Sequence, residues 1–192
     1  MDINYLESLP PEIIFDILLR LPVRDILRFC QISKRLRPFC NEYDLWATKA
    51  IRDLNITRNT FDNNINDNPI TKYMNLLNYN IYSAAGEGNL AKVSYLLSLG
   101  PTNINSVLCN AAFAGRLDVV KFLLQHGAGA DVDDLNDALI AASEGRDLDT
   151  VRYLVNHGAT DIDEALRAAS YSGTNEIIDY LSSISVGEAG LE

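Results

Sequence analysis

Ala84-Ala-Gly-Glu-Gly-Asn-Leu-Ala-Lys-Val-Ser-Tyr-Leu-Leu-Ser-Leu-Gly100 decides the fold, because the chain writes the same pattern again further on. Ala111-Ala112, Gly115, Leu117, Val120, Leu123-Leu124 and Gly127 repeat its Ala84-Ala85, Gly88, Leu90, Val93, Leu96-Leu97 and Gly100. A third copy carries Ala141-Ala142, Gly145, Leu148, Val151, Leu154-Val155 and Gly158, and a fourth Ala169-Ser170, Gly173, Ile178 and Leu181. The glycines at 88, 115, 145 and 173 lie 27, 30 and 28 residues apart. A period in this range is that of a stacked solenoid, in which each unit buries its apolar face against its neighbours.

Each column has a physical cause. Paired alanines let helices of adjacent copies approach closely, where a larger side chain would collide. The glycine after them permits a positive φ where the first helix stops and the chain reverses. Leu, Val, Leu, Leu at i, i+3, i+6 and i+7 form the stripe that buries the second helix. A closing glycine ends it, with Pro101 reinforcing the stop after Gly100. Arg146-Asp147 adds one residue to the third copy and predicts a bulged turn there. Ser182-Ser183 follow Leu181 in the fourth copy, as suits a C-terminal cap on which nothing stacks.

These residues resemble ankyrin repeats: an alanine pair, a glycine, Val-x-x-Leu-Leu, then His-Gly-Ala at 126–128 and 157–159. The resemblance covers about residues 79–184 and implies a helical solenoid of about four short copies. The usual Thr-Pro-Leu-His start is replaced by Asn- or Asp-led openings such as Asn105-Ser106 and Asp163-Glu164. The period is shorter than the ~33 residues of the family, which predicts clipped hairpin loops.

Upstream stands Leu9-Pro-Pro-Glu-Ile-Ile-Phe-Asp-Ile-Leu-Leu-Arg-Leu21. Pro11 suits the first helical position and Glu12 the positive end of the helix dipole. Ile13, Ile14, Ile17, Leu18 and Leu21 make one apolar face, while Phe15 and Leu19 put large groups opposite. A helix apolar nearly all round asks to be buried nearly all round, more than a small unit provides. Pro22 ends this helix and starts a second over Val23–Ile32, with Val23, Ile26, Leu27 and Cys30 on one side. Ser33 is the predicted N-cap of a third helix with Leu36 and Phe39. Asp44 is that of a fourth, striped with Leu45, Trp46, Ala50, Ile51 and Leu54.

Leu9-Pro10-x-Glu12-Ile13, Ile17-Leu18, Leu21-Pro22, Asp25-Ile26-Leu27, Cys30-x-Ile32-Ser33-Lys34 and Leu45-Trp46 resemble the F-box in order and spacing. Gln31-Ile32-Ser33-Lys34 departs from its usual Val-Cys-Lys. The resemblance implies docking on the Skp-type adaptor of a cullin-based ubiquitin ligase. Leu9, Pro10, Ile13, Ile17, Leu18 and Leu27 become the expected adaptor-binding anchors, and Trp46 their support. The expected architecture is therefore all-α: an F-box unit at 5–54, a linker and short helix at 55–78, ankyrin repeats at 79–184 and a tail at 185–192. Turn formers fill 55–69, and Ile70–Asn78 is predicted as a short helix with Tyr73, Met74 and Leu77 inward.

Charge divides along the same line. Residues 1–60 hold nine Lys/Arg against eight Asp/Glu, whereas residues 61–192 hold seven against eighteen. The acidic second part repels phosphate backbones, so no nucleic acid partner is expected. No apolar run reaches the ~18–20 residues of a membrane span, and the N-terminus does not read as a secretion signal. The last residues hold no cysteine for prenylation. Cys30, Cys40 and Cys109 show no paired spacing and read as reduced thiols, placing the chain in the cytoplasm or nucleus.

No catalytic constellation emerges. His126 and His157 share one column, just before the closing glycines, where an imidazole can bond the last helix carbonyls. Asp131, Asp133, Asp134 and Asp137 crowd one predicted loop, but the calcium-loop pattern fails at Leu135 and lacks its glycine. No metal and no cofactor are expected. A basic stretch of a partner is what such an acidic rim would meet. Beside the alanine pairs, Glu87, Phe113, Glu144 and Tyr171, with Asp133 and Asp134, are the candidate target-binding residues. The expected function is a non-catalytic substrate adaptor of a ubiquitin ligase, its F-box joined to the ligase core and its repeats holding an unidentified target protein. The alternative is a binding protein that sequesters its target without ubiquitination.

Overall fold

The computed structural model describes residues 8–62, 68–100 and 103–188. The predicted start of the first unit at residue 5, the middle of the linker, Pro101 and the end of the tail lie outside them. Among the described residues every regular element is a helix. The chain forms two compact units, one of residues 1–80 and 94–102, the other of residues 81–93 and 103–192.

The first unit holds α1 (Pro11–Arg20), α2 (Val23–Ile32), α3 (Arg37–Cys40), α4 (Tyr43–Leu54) and α5 (Arg58–Asp62). Pro11 and Glu12 occupy the first turn of α1, and the chain leaves it in extended conformation at Leu21, before Pro22. Pro22 in turn precedes the first residue of α2. The Ser33 hydroxyl accepts from the Leu36 N–H, yet the predicted third helix shrinks to the single turn of α3. α4 starts one residue before Asp44, with no side-chain cap; Asp44 lies in the first turn and pairs with Arg58. Asn55 closes α4 in the left-handed region, at φ 53°, which asparagine tolerates better than most residues.

Two helices have residues in both units: the 19-residue α6 (Pro69–Glu87) and the ten-residue α7 (Leu90–Leu99). The predicted short helix therefore does not stop at Asn78. No breaker lies between Ile70 and Ala85, so the helix runs on through Asn78 and Asn80, both half-buried. Its inward positions are Tyr73 and Leu77, both fully buried, while Met74 is only half-buried.

The second unit continues with α8 (Ile104–Phe113), α9 (Leu117–Gln125), α10 (Val132–Gly145), α11 (Leu148–Asn156), α12 (Ile162–Ser172) and α13 (Asn175–Glu188). Helices α8, α10 and α12 pack side by side, and each packs on the helix that follows it. The alanine columns lie at these contacts, with Ala84, Ala85, Ala111, Ala112, Ala142 and Ala169 fully buried. Val120, Leu123, Val151, Leu154 and Leu181 of the second-helix stripe are also fully buried, whereas the expected Ile178 is half-buried and its neighbour Ile177 takes the buried place in the fourth copy. Asn103, Asp131 and Asp161 cap α8, α10 and α12 through their side chains. The predicted acidic loop is thus a helix start: Asp131 is the cap, and Asp133 and Asp134 sit in the first turn, where the dipole favours them.

The third copy corrects the repeat register. The residue after each reversal donates its N–H back to an alanine carbonyl: Asn89 to Ala84 (2.9 Å), Arg116 to Ala111 (2.9 Å), Asp147 to Ala142 (3.3 Å) and Thr174 to Ala169 (3.1 Å). The left-handed residues are accordingly Gly88, Gly115, Arg146 and Gly173. Gly145 is not one of them, and no bulge follows it. α10 runs one residue further, so Ala142 and not Ala141 matches Ala84 and Ala111. Glycine stands at 145 for a different reason. A Cβ there would collide with the backbone carbonyl of Phe113 in the adjacent repeat.

Cysteine pairing is the other departure. Cys30 and Cys40 form a disulfide with Cα atoms 6.2 Å apart, inside the first unit, and Cys109 is the free thiol. The expectation of three separate thiols fails because the turn between α2 and α3 brings together two residues whose spacing gives no sign of it.

Candidate protein-interaction surfaces

In the first unit, the core takes one side of α1 and leaves another bare. Ile14 and Leu18 are fully buried, with Val23, Ile26, Leu45 and Trp46 also at zero exposure. Ile13 is 47% exposed and Pro10 is exposed; Leu9, Ile17 and Leu27 are half-buried. Pro10, Ile13 and Ile17 follow helical spacing, so they make one row on the open side. Leu18 is therefore corrected from anchor to core: its side chain offers no surface, because the chain's own helices already cover it. Trp46 is likewise internal, donating its indole N–H to the Cys40 carbonyl at 2.7 Å and lying 5.5 Å from the Tyr73 ring.

A buried polar network holds the C-terminal end of α1, and the apolar pattern gave no hint of it. Lys49 and Asp53, 2.8 Å apart, have side chains only 2% and 3% exposed. The Lys49 ammonium donates to the carbonyls of Leu21 (2.7 Å) and Leu19 (3.3 Å), which the end of α1 leaves without helix partners. A cation at this helix end also meets the negative pole of the dipole. Arg52 donates to the Leu19 carbonyl and to Asp53. The Tyr73 hydroxyl donates to Asp53 at 2.9 Å. Burial pushes the Lys49 pKa down, against the upward pull of Asp53. Burial also pushes the Tyr73 phenol up, with the Asp53 charge adding to it. Lys49 and Asp53 stand four residues apart inside a predicted apolar stripe, and that spacing was the available signal.

In the second unit, taken by itself, the first helices of the repeats carry a face with large side chains exposed among the described residues. With the register corrected, Phe113, Glu144 and Tyr171 occupy one equivalent position in three successive repeats, and Gly86 the same position before them. Phe113 is 51% and Tyr171 95% exposed, and Glu144 is exposed too. Glu87, grouped with these by the sequence pattern, belongs one column over, beside Ala114, Gly145 and Ser172. Asp133 is exposed and Asp134 half-buried at the start of α10. On the same side lies a cleft of about 450 Å³ lined by Tyr82, Asn103, Asn105, Ser106, Cys109, Asp134 and Asp137. Burial pushes the Cys109 thiol up to about 11, the charges of Asp137 and Asp134 adding to the shift. Asp134 is also raised, by desolvation and then by the neighbouring Asp131 charge.

Sequence reasoning missed an asparagine ladder. Asn105 Oδ1 accepts from the Gly129 N–H at 3.0 Å, and Asn136 Oδ1 accepts from the N–H groups of Thr160 (2.7 Å) and Asp161 (3.0 Å). Each ties the backbone entering the next repeat. Asparagine at equivalent positions of two repeats was the readable sign. The two histidines behave as their column predicts: Nδ1 of His126 bonds the Phe122 carbonyl (2.7 Å) and that of His157 the Tyr153 carbonyl (2.8 Å), each ring lying against the aromatic one turn back.

A helical stack with one bare face, in a chain whose other unit leaves an apolar row open on its first helix, is built for protein–protein contact. The comparisons give the family. The model of ankyrin repeats (three copies) matches residues 80–165 and 108–188, more than half of the chain, and an F-box-like model matches residues 6–52. The chain belongs to the ankyrin-repeat proteins and carries an F-box-like domain ahead of the repeats. No curated protein matches it significantly. F-box and ankyrin repeats together make it a protein-interaction adaptor, a combination typical of non-catalytic binding proteins. No helix among the described residues is long and apolar enough to cross a membrane.

Proposed function

We propose that the chain is the substrate-recognition subunit of a cullin-based, SCF-type ubiquitin ligase. The F-box-like unit docks on the Skp-type adaptor and the repeats hold a target protein, so that proximity to the ubiquitin carrier raises the effective concentration of the target's lysines. The observation that carries the reading is the row Pro10, Ile13 and half-buried Ile17, with half-buried Leu9 just ahead of it, although Ile14 and Leu18 of the same helix are fully buried. An apolar helix face with its own core already complete is what helix-in-groove docking uses. On this reading the protein works in the cytoplasm or nucleus, with the ligase core.

Capture by a purified Skp-type adaptor tests it, comparing the natural chain with Leu9→Ala/Ile13→Asp. Losing two central anchors costs ~3 kcal/mol or more, a drop of ~100-fold in affinity. The unfolding transition should stay where it was, since neither residue belongs to the buried core. Adaptor binding that is absent, or equal in the variant, overturns the proposal in favour of sequestration without ubiquitination.

A further inference from the structure

The bare face of the first helices in the second unit has a chemical character that names its partner. It carries three exposed aromatic rings: Tyr82 at 49%, Phe113 at 51% and Tyr171 at 95%. Between them run Asp137 and Glu144, and neither they nor Asp134 form an ion pair among the described residues. Large exposed aromatics at a stack's open face are the side chains that most often anchor an interface. Their carboxylate neighbours repel an acidic partner and attract a basic one. The surrounding chain deepens this: residues 61–192 carry seven Lys/Arg against eighteen Asp/Glu.

We propose that this face binds a segment of the target protein that alternates arginine or lysine with apolar side chains. One cation sits in the cleft among Tyr82, Asp134 and Asp137. There the ring offers its face and the two carboxylates accept hydrogen bonds. Apolar side chains of the same segment lie against Phe113 and Tyr171, and a second cation meets Glu144 between them. Cys109 forms part of the cleft wall beside these two carboxylates. The inference rests on the reading of the repeats as the part that holds the target, and it supplies the chemical class of that target.

Fluorescence anisotropy on the full chain tests it, with a labelled peptide of alternating arginine, leucine and serine as the probe and its glutamate-for-arginine counterpart as the comparison. The arginine peptide should bind and the glutamate peptide should not. Asp134→Asn/Asp137→Asn should weaken binding ~tenfold or more, and Phe113→Ser/Tyr171→Ser should do the same. Asp118→Asn/Asp149→Asn changes the net charge equally on the second helices and should leave binding intact. Equal weakening by that control pair would reduce the effect to overall charge and overturn the proposal, as would equal binding of both peptides or no binding of the arginine peptide. Leu9→Ala/Ile13→Asp should bind the peptide unchanged, so failure of adaptor docking and failure of this inference are read separately.

Discussion

Gly145 and Arg146 show how neighbouring residues can exchange the roles a pattern assigns them. Placing alanine at 145 adds helix propensity of up to ~1 kcal/mol. It also drives a methyl group into the backbone carbonyl of Phe113, and overpacking costs ~1–3 kcal/mol, the upper end where the obstacle is backbone. The collision wins, so Gly145→Ala should lower the urea midpoint of the chain. Arg146, at φ 67°, bears the left-handed conformation without the freedom of glycine. Arg146→Gly should raise stability by ~0.5 kcal/mol, the relief of that conformation exceeding the entropy that glycine adds to the unfolded chain. Cys109 offers a chemical test. Its thiol pKa rises from 9.0 to about 11 on folding. Near pH 8 the thiolate fraction falls ~100-fold, and iodoacetamide should alkylate the folded chain that much more slowly than the urea-unfolded one. Because the folded state holds this proton more tightly, the thiol's contribution to stability is whole below pH 9 and is lost as pH climbs through about 11.

Helix α4 is held by charge where its pattern promised only oil. Lys49 and Asp53 are buried together, and breaking such a pair from one side leaves the other charge uncompensated. Asp53→Ala should therefore cost ~3–5 kcal/mol, more than a Leu45→Val change in the same helix. Tyr73→Phe removes a single hydrogen bond to a buried carboxylate and should cost ~1–3 kcal/mol. Thermal unfolding of the three variants ranks them. The same helices explain which boundaries were legible. Proline at 11 and 22 announced the starts of α1 and α2 correctly, because its fixed φ and missing N–H act locally. Asp44 misled, because a residue that can cap a helix can equally sit inside its first turn and pair with Arg58. Asn78 misled in the opposite direction: a half-buried asparagine inside α6 looks like a helix end when the packing around it is unknown.

Taken whole, the molecule joins two surfaces of opposite physical kind, and ionic strength should tell them apart. The proposed adaptor docking, through Leu9, Pro10, Ile13 and Ile17, rests on apolar contact and should change little with salt. Association of the arginine peptide with the repeats should slow steeply as salt rises, because screening removes the long-range attraction of the acidic unit. Measuring both association rates at low and high salt checks the contrast; a shared salt dependence would argue that one surface serves both partners.

The all-α class, the stacked repeats and the F-box pattern were written in the order of residues, since helical period, alanine pairs and proline positions act through neighbours along the chain. So were the roles of His126 and His157, which bond carbonyls one turn away. Other properties needed the helices brought together. Leu18 and Ile13 are the same kind of side chain on the same helix, and only the packing of α1 against its own unit decides that one is core and the other surface. The disulfide of Cys30 with Cys40, the Lys49–Asp53–Tyr73 network and the true register of the third repeat likewise depend on contacts between distant residues. No local pattern encodes those, because burial and electrostatic pairing are fixed by what lies across the gap.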